Sequence, residues 1–255
     1  FSLHGKVVVQ FGGTGLLGRS LVKSLASAGA TLVVTSRNRP ALEALAAEAA
    51  DDNRPIDVEQ VDIGDEGSLR ALRDRILANH PRIDGIVFNA VSRPMRSYDD
   101  DLARWKESME VNATGFFATV RVFGDAMAAH GSGSIVNIGS IYNSVGSNPY
   151  LYEGTEMKTA PDYFFHKAGM LNLTRYLGSH YGPRGLRVNV VSPEGIYNPQ
   201  TPQPDRSLTH YGKMTMLGRM AQAHEIGGAV VFLLSDASTY ITGTNLMVDG
   251  GLTAK

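Results

Sequence analysis

Short apolar runs alternate with longer helix-like stretches along almost the whole chain, and this alternation limits the possible folds most. Strands are predicted at 6–11, 31–36, 56–61, 83–89, 134–138, 187–191 and 245–248. Helices are predicted between them, at 16–28, 40–50, 66–79, 101–129, 162–181 and 223–234. Strand–helix–strand units form right-handed crossovers, so the pattern predicts an α/β fold. We expect a doubly wound, Rossmann-like parallel sheet of about seven strands with helices on both faces.

One domain over residues 1–255 accounts for this pattern, because the 255-residue chain contains no linker, repeat or low-complexity stretch. Two long stretches, 140–161 and 193–215, follow strands and lack a clear helix or strand pattern. Loops of this length in a compact domain usually carry function. Both begin at the carboxyl edge of the predicted sheet, where open α/β folds bind ligands, so we expect them to surround a substrate.

Composition argues against several classes of function. The chain has no cysteine, which rules out disulfides, thiolate metal sites and a cysteine nucleophile. Its histidines show no zinc-binding spacing, so no metal is expected. A net charge of −1 without a basic run predicts neither nucleic acid nor a membrane as partner. The first apolar run is too short to span a bilayer, and a cytoplasmic protein is the default expectation.

A glycine-rich turn follows the first strand and opens the first helix. Glycines let the backbone approach a pyrophosphate closely, while free amides at the start of the helix face the anion. The turn therefore predicts a dinucleotide site. Its candidate residues are Gly12, Thr14, Gly15, Leu16, Leu17 and Gly18.

The end of the second strand bears on the choice between NAD and NADP. NAD sites usually have an acidic residue here, which binds the ribose 2′-hydroxyl. This chain instead has Ser36 and Arg37, with no acid nearby. Arg37 can pair with a 2′-phosphate and Ser36 can donate to it, so NADP is favoured and NAD remains open.

Tyr163 and Lys167 are four positions apart, which places them on one face of the predicted helix 162–181. An ammonium group stabilises a nearby phenolate. We therefore expect Lys167 to lower the pKa of Tyr163, so that the phenol transfers protons near neutral pH. A solvated surface pair is the alternative interpretation.

Several ordered motifs together resemble the short-chain dehydrogenase/reductase family over essentially the full length of the chain. Each motif follows a predicted strand or lies in a predicted helix. They are the glycine turn 12–18, Asp62, Asn89-Ala90, Val111-Asn112-Ala113-Thr114-Gly115, Ser140, Tyr163 with Lys167, Ser192-Pro193-Glu194-Gly195, and Val248-Asp249-Gly250-Gly251.

The resemblance implies a catalytic tetrad of Asn112, Ser140, Tyr163 and Lys167. In this scheme Tyr163 moves the proton, Lys167 also holds the cofactor ribose, Ser140 bonds the reacting oxygen, and Asn112 holds a water that links Lys167 to solvent. The resemblance also implies cofactor contacts elsewhere: Asp62 and Ile63 at the adenine, Asn89 and Ala90 along the cleft, and Pro193, Gly195 and Ile196 near the nicotinamide.

The chain departs from the family pattern at several positions. Val91 replaces the glycine of an Asn-Ala-Gly motif, Glu194 replaces the first glycine after Pro193, and Asn198 stands where threonine is common. Phe11 and Leu16 also differ from the usual glycine turn, which has threonine and glycine there. Ser140 and Tyr163 are 23 positions apart, which lengthens the loop over the substrate without removing a catalytic group.

Hydrogen-bonding side chains dominate the two long loops, and they predict a sugar, sugar acid or polyol as substrate rather than an apolar chain. The candidate substrate contacts are Arg93, Ser140, Tyr142, Tyr152 and Glu194. Other interpretations remain open: a 3-oxoacyl-type carbonyl reductase, a non-catalytic dinucleotide sensor, and a nucleotide-sugar epimerase or dehydratase. The resemblance also implies a homotetramer, or a dimer.

Overall fold

The computed structural model describes residues 1–156 and 158–255, so position 157 of the predicted loop 140–161 lies outside the described residues. The described residues form one seven-stranded parallel sheet, ordered β3-β2-β1-β4-β5-β6-β7. Its strands are β1 (Val7–Phe11), β2 (Thr31–Ser36), β3 (Asp57–Gln60), β4 (Gly85–Phe88), β5 (Gly133–Ile138), β6 (Leu186–Pro193) and β7 (Asn245–Val248). The order reverses at β1 and β4, as in dinucleotide-binding folds, and confirms the predicted fold class.

Helices cover both faces of this sheet. The α-helices are α1 (Leu16–Ser27), α2 (Arg39–Asp51), α3 (Glu66–Asn79), α4 (Leu102–Met109), α5 (Phe116–Ala129), α6 (Pro161–Tyr181), α7 (Asp205–Met214) and α8 (Gly227–Leu234). One hydrophobic core joins the sheet to α3, α5 and α6, and a second joins it to α1, α2 and α8.

Neighbouring strand residues supply opposite cores, because side chains alternate along a strand. Val8 belongs to the core under α1, α2 and α8, whereas Val9 belongs to the core under α3, α5 and α6. Both are buried, and burying such a side chain stabilises the fold by about 1.5–3 kcal/mol. Central strands such as β4 are therefore buried on both faces, which explains their continuous hydrophobic runs, whereas the edge strand β3 is partly exposed.

Two predicted elements differ from the structure. The expected single helix 101–129 consists of α4 and α5 joined by a π-helical segment, Glu110–Gly115. The stretch 193–215, expected to be irregular, contains α7. Helix α7 is only ten residues long and mostly polar, and its buried side includes Ser207, His210 and Tyr211, so its sequence carries little apolar signal.

The described residues of the stretch 140–161, namely 140–156 and 158–161, are irregular as predicted, apart from 3₁₀ turns at Ile141–Asn143 and Pro149–Tyr152 and the first residue of α6. Within the described residues, no helix combines the length and apolarity needed to cross a membrane.

Candidate active site

The predicted catalytic side chains meet at the carboxyl edge of the sheet. Ser140 follows β5, Tyr163 and Lys167 lie in the first turns of α6, and Asn112 lies in the π-helical segment. The chain after β4 adds Arg93, whose guanidinium carbon lies 4.5 Å from the centre of the Tyr163 ring. The structure thus gathers residues that are far apart in sequence around one phenol.

Burial dominates the acidity of Tyr163 and raises the pKa of its phenol. The Arg93 guanidinium opposes this shift through its charge and a hydrogen bond, and a hydrogen bond with Ser140 also lowers the pKa, while the charge of Glu194 raises it. The net pKa of Tyr163 therefore lies above its usual value, opposite in direction to the expectation from its spacing with Lys167. The effect of burial is larger, and the opposing positive charge comes from Arg93.

Lys167 is buried, and its Nζ donates a hydrogen bond to the Ile138 carbonyl over 2.6 Å. Nζ lies 5.6 Å from the centre of the Tyr163 ring. Burial, and secondarily the charge of Arg93, lower the pKa of Lys167 to about 7. The ammonium form of Lys167 is thus less favoured near neutral pH than the sequence suggested, because desolvation penalises the charge.

Asn112 braces the chain that leaves β4. Its side-chain oxygen accepts from the Ser92 N–H (2.9 Å), and its Nδ2 donates to the Ser92 carbonyl (2.7 Å) and the Ser108 hydroxyl (3.0 Å). The surrounding π-helical turn is a geometry often found at functional sites. The predicted water-holding role of Asn112 stays a prediction, while its side chain already fixes the backbone next to Arg93.

Two buried residues that the sequence analysis missed extend this network. The Ser108 hydroxyl donates to Asp162 over 2.6 Å, and Asp162 directly precedes Tyr163 in α6. The chain from Ser92 through Asn112 and Ser108 to Asp162 therefore connects the end of β4 to the turn that carries the phenol. Ser108 and Asn112 have helical i, i+4 spacing, but nothing local indicates the contact with Asp162, which is 54 positions away.

A cleft with a volume of about 410 Å³ lies beside the glycine turn. Gly12 adopts φ +85°, and a Cβ there would lie 2.6 Å from the Ala90 nitrogen. A Cβ on Gly18 would overlap the Gly12 carbonyl oxygen. Side chains at these two positions would fill the cradle or distort it, so the turn fits the close approach of a dinucleotide pyrophosphate.

Most predicted adenosine-side contacts line this cleft. These are Gly12, Thr14, Gly15, Ser36, Arg37, Ile63, Asn89 and Ala90. Residues not predicted for the cofactor also line it, namely Thr35, Asn38, Val61, Val91 and Val111. Each of them is adjacent in sequence to a predicted site residue at the end of a strand or in a helix. The boundaries of the predicted strands and helices could therefore have indicated them.

The other predicted cofactor residues lie outside that lining. They are Leu16, Leu17, Gly18, Asp62, Tyr163, Lys167, Pro193, Gly195 and Ile196. The Asp62 carboxylate accepts from the Gly64 N–H over 3.0 Å, which orders the turn after β3. Ile196 pairs with Ala221 in an isolated parallel bridge, and its carbonyl accepts from Gln203. Their cofactor contacts remain predictions.

The region where a 2′-phosphate would be expected contains a free cation. The hydroxyls of Thr14 and Ser36 lie 3.3 Å apart and join the glycine turn to the end of β2. Arg37 is exposed and forms no ion pair with any residue in the described parts of the chain. A guanidinium beside two hydroxyls suits a phosphate group.

Three phenols and one carboxyl form a cluster next to Tyr163, whose ring centre lies 6.3 Å from that of Tyr142. The Tyr211 hydroxyl donates to Glu194 over 2.6 Å, and the Tyr142 and Tyr152 hydroxyls form a short hydrogen bond. Burial raises the pKa of each of these three phenols, so they remain neutral at physiological pH. Burial also raises the pKa of Glu194. Three predicted substrate contacts thus belong to one polar wall, joined by Tyr211 from α7.

Tyr152 also borders an outer cavity of about 720 Å³. Its lining includes Tyr98 before α4 and Tyr150, Glu153 and Lys158 from the long stretch after β5. No group of three or more His, Asp or Glu side chains among residues 1–156 and 158–255 is arranged to hold a metal ion.

Comparison with known proteins identifies the class. Residues 15–253 match the sequence model of a family described as enoyl-(acyl carrier protein) reductase. D-threitol dehydrogenase from Mycolicibacterium smegmatis is 30% identical, over 100% of this chain and 95% of that protein. Galactitol 2-dehydrogenase (L-tagatose-forming) from Cereibacter sphaeroides is 31% identical, over 99% and 97%.

A solved structure agrees in fold along the whole chain. The gluconate 5-dehydrogenase from Burkholderia cenocepacia J2315, crystallised with NADP and tartrate, has a TM-score of 0.89 and 27% identity. The match covers 100% of this chain and 97% of that one. The chain therefore belongs to the short-chain dehydrogenase/reductase family and is an NAD(P)-dependent oxidoreductase.

Proposed function

We propose that the protein transfers a hydride between NADP and a carbinol or carbonyl carbon of a sugar, sugar acid or polyol, with Tyr163 carrying the proton. The observation that carries this proposal is the position of Tyr163. Arg93 and Lys167 approach its ring, and the Ser140 hydroxyl acts on the pKa of its phenol, at the sheet edge where the glycine-lined cleft also lies.

Each residue of the site has a distinct role in the proposed reaction. The nicotinamide, when bound, supplies the hydride chemistry. Ser140 bonds the reacting oxygen and stabilises the charge that develops there. Tyr163 accepts the hydroxyl proton during oxidation and returns it during reduction. Lys167 stabilises the phenolate and is expected to bind the cofactor ribose, while Asn112 keeps the neighbouring chain in place.

The polar wall formed by Tyr142, Tyr152, Tyr211 and Glu194 supports a substrate with many hydroxyl groups. Such a wall disfavours a fatty acyl chain, which needs apolar surface. The names of the relatives agree with this preference, since they act on D-threitol, galactitol and gluconate. The tartrate in the gluconate 5-dehydrogenase crystal is also a small polyhydroxy acid.

NADP is favoured over NAD by the residues at the end of β2. The exposed Arg37, the Thr14 and Ser36 hydroxyls, and the lack of an acid between 35 and 38 all suit a 2′-phosphate. The related gluconate 5-dehydrogenase binds NADP.

Initial rates with NADP and NAD test this function across a panel of alditols, aldoses, aldonates and one 3-oxoacyl thioester. We expect turnover with a polyhydroxy substrate and a higher kcat/KM with NADP. Turnover confined to the acyl thioester would instead support the acyl reductase that the family description suggests. Tight cofactor binding without any turnover would support a sensor, and an isomerised product without net cofactor change would support an epimerase.

A homotetramer, or a dimer, is also part of the proposal. Exposed aromatic side chains on α5 and α6 support it: Phe117 is 38% exposed, Phe165 60% and Tyr176 61%. Trp105 from α4 packs against Phe165 with ring centres 5.3 Å apart. Neighbouring exposed rings of this kind are typical of protein interfaces. A cytoplasmic location remains a prediction from the sequence.

A further inference from the structure

Arg93 is a permanent cation beside the proposed proton carrier, and its charge is not neutralised by an ion pair. Its guanidinium carbon lies 4.5 Å from the centre of the Tyr163 ring, and its charge lowers the pKa of the phenol against the effect of burial. Among the described residues, no carboxylate forms an ion pair with it, and its side chain is exposed. The guanidinium has five N–H donors, so most of its donors remain available to a ligand.

The backbone on both sides of Arg93 is fixed. Ser92, on one side, exchanges two hydrogen bonds with the Asn112 amide. On the other side, Pro94 and Met95 are buried, and the Pro94 carbonyl accepts from Arg104 over 3.2 Å. Arg93 is thus an exposed side chain on a braced backbone, which is how proteins preorganise a ligand-binding group.

The position of Arg93 defines which part of a substrate it meets. Tyr163 and Ser140 must both reach the reacting oxygen, and the Arg93 guanidinium lies over the ring of the same phenol. A group held by the guanidinium therefore lies close to the reacting carbon. Guanidinium groups bind carboxylates through two parallel hydrogen bonds, and they have no acceptor for a hydroxyl proton.

The nearby carboxyl of Glu194 limits the charge of that group. Glu194 bonds Tyr211 rather than Arg93, and its charge also acts on Tyr163. The other nearby cation, Lys167, is buried and bonded to the Ile138 carbonyl. The single positive charge of Arg93 balances one negative charge, such as a carboxylate. A doubly charged phosphate would also be repelled by Glu194, and the described chain places no second free cation beside Tyr163 to balance it.

We propose that the substrate carries a carboxylate next to the reacting carbinol, and that Arg93 binds this carboxylate while the phenols and Glu194 receive the hydroxyl groups. This inference rests on the proposed function and narrows its substrate class to polyhydroxy acids oxidised, or 2-oxo acids reduced, beside the carboxylate. In the oxidation, the carbinol carbon loses a hydride to NADP⁺ and its hydroxyl proton passes to Tyr163.

Gluconate and glucitol test the inference, because they share six carbons and differ in the carboxylate. We expect the wild-type protein to prefer gluconate and to form the 2-oxo product. Replacement Arg93→Gln should reduce the gluconate-to-glucitol ratio of kcat/KM by about 10- to 100-fold, as expected for losing a charged hydrogen-bonding partner. Any change in the acidity of Tyr163 affects both substrates and cancels in this ratio.

Arg96→Gln is the matched control, since it removes the same charge from an exposed position three residues away. Its ratio should stay within about twofold of the wild type, because a distant exposed charge contributes little. An unchanged ratio in Arg93→Gln, an equal loss in both variants, or oxidation of gluconate only at a carbon remote from the carboxylate would overturn the inference.

Calorimetric binding of the same two compounds, with NADP present, separates this inference from the proposed hydride transfer. Wild-type protein should bind gluconate at least about 10-fold more tightly than glucitol, and Arg93→Gln should lose that difference. This result would support the carboxylate site even if neither compound were turned over. Equal binding, or no binding of gluconate, would contradict it, and thermal unfolding of both variants verifies that they are folded.

Discussion

At the residue scale, burial changes the roles expected for the charged groups around Tyr163. The lysine four positions along the helix is desolvated, and its pKa is lowered to about 7. The arginine over the ring remains a cation at every physiological pH, because a guanidinium does not lose its proton. Arg93 thus supplies the constant positive charge that sequence spacing alone assigned to Lys167.

His166 is a second ionisable residue whose charge state is determined by burial. It is buried beside Tyr163, and neither ring nitrogen has a hydrogen-bond partner among residues 1–156 and 158–255. Burial, followed by the charges of Lys167 and Arg93, lowers the pKa of His166 to about 3. The ring therefore stays neutral in the native protein while it can become charged in the unfolded chain.

This difference predicts loss of stability in acid. Because the folded-state pKa is the lower one, the unfolded chain binds more protons below pH 6.5, and stability falls as the pH decreases from about 6.5 towards 3. At pH 5 the loss from this residue is on the order of 2 kcal/mol. His166→Gln should therefore reduce the decrease in unfolding free energy between pH 7 and pH 5, measured by urea denaturation.

His130→Gln is the control, because His130 is exposed at the end of α5 and should leave the pH dependence unchanged. The slopes with pH are compared rather than absolute stabilities, since a buried glutamine has its own cost. If His166→Gln has the same slope as the wild type, then His166 is not a buried neutral ring.

At the element scale, the glycine turn contacts β1, α1 and the residues that follow β4. The Gln10 side chain donates to the Gly18 carbonyl over 2.8 Å, and Asn89 donates to the Gly12 carbonyl over 2.7 Å. Two side-chain amides therefore hold the turn in the shape that the absent Cβ atoms permit.

Gly18→Ala should disrupt this element. Its Cβ would meet the Gly12 carbonyl, so α1 must move away from the turn. We expect a loss of about 1–3 kcal/mol in unfolding free energy and at least about 10-fold weaker NADP binding. Calorimetric titration and thermal unfolding measure the two effects.

Gly228→Ala in α8 provides the comparison, because a Cβ there meets no atom within 4 Å. Alanine favours a helix over glycine, so this variant should be unchanged or more stable by up to about 1 kcal/mol, with NADP affinity retained. Normal NADP binding by Gly18→Ala would show that the turn does not hold the pyrophosphate.

Local patterns predicted some of these elements and not others, for physical reasons. Central strands are buried on both faces, so runs such as 7–11 and 133–138 are visible without tertiary information. Helix α7 was missed because its buried positions include polar residues that bond to other parts of the chain, such as Tyr211 to Glu194. The π-helical segment was missed because its residues continue the helical pattern on both sides.

The same distinction applies to the site. Tyr163 and Lys167 are one helical turn apart, so the sequence places them together. The contact of Arg93 with Tyr163 joins positions 70 apart, and only the fold brings them close. The direction of the Tyr163 pKa also depends on burial, which spacing does not reveal.

At the scale of the whole molecule, strand order brings the two parts of the site to one edge. The strands on either side of the reversal carry the cofactor cleft, and β5, β6 and α6 carry the proton carrier and the polar wall. The helices α4, α5 and α6 that support this edge also present the exposed rings of Phe117, Phe165 and Tyr176.

Assembly through those helices is testable by light scattering coupled to size-exclusion chromatography. Wild-type protein should elute as a tetramer or dimer, and Phe165→Asp should shift it to a smaller species, because a charge at an apolar contact is costly. Tyr98→Asp alters an exposed ring that lies outside these helices and should not change the mass. A monomeric wild-type protein, or an unchanged mass for Phe165→Asp, would contradict the proposed interface.

The proton-carrying role of Tyr163 is tested most directly by Tyr163→Phe, which removes one oxygen and keeps the ring against His166 and Arg93. Single-turnover hydride transfer is followed by nicotinamide absorbance with a substrate that the rate panel identifies, and NADP affinity is measured by titration. We expect the rate to fall at least ~10³-fold while the NADP affinity changes by less than about threefold. A rate near that of the wild type, with the cofactor still bound, would contradict that role of Tyr163.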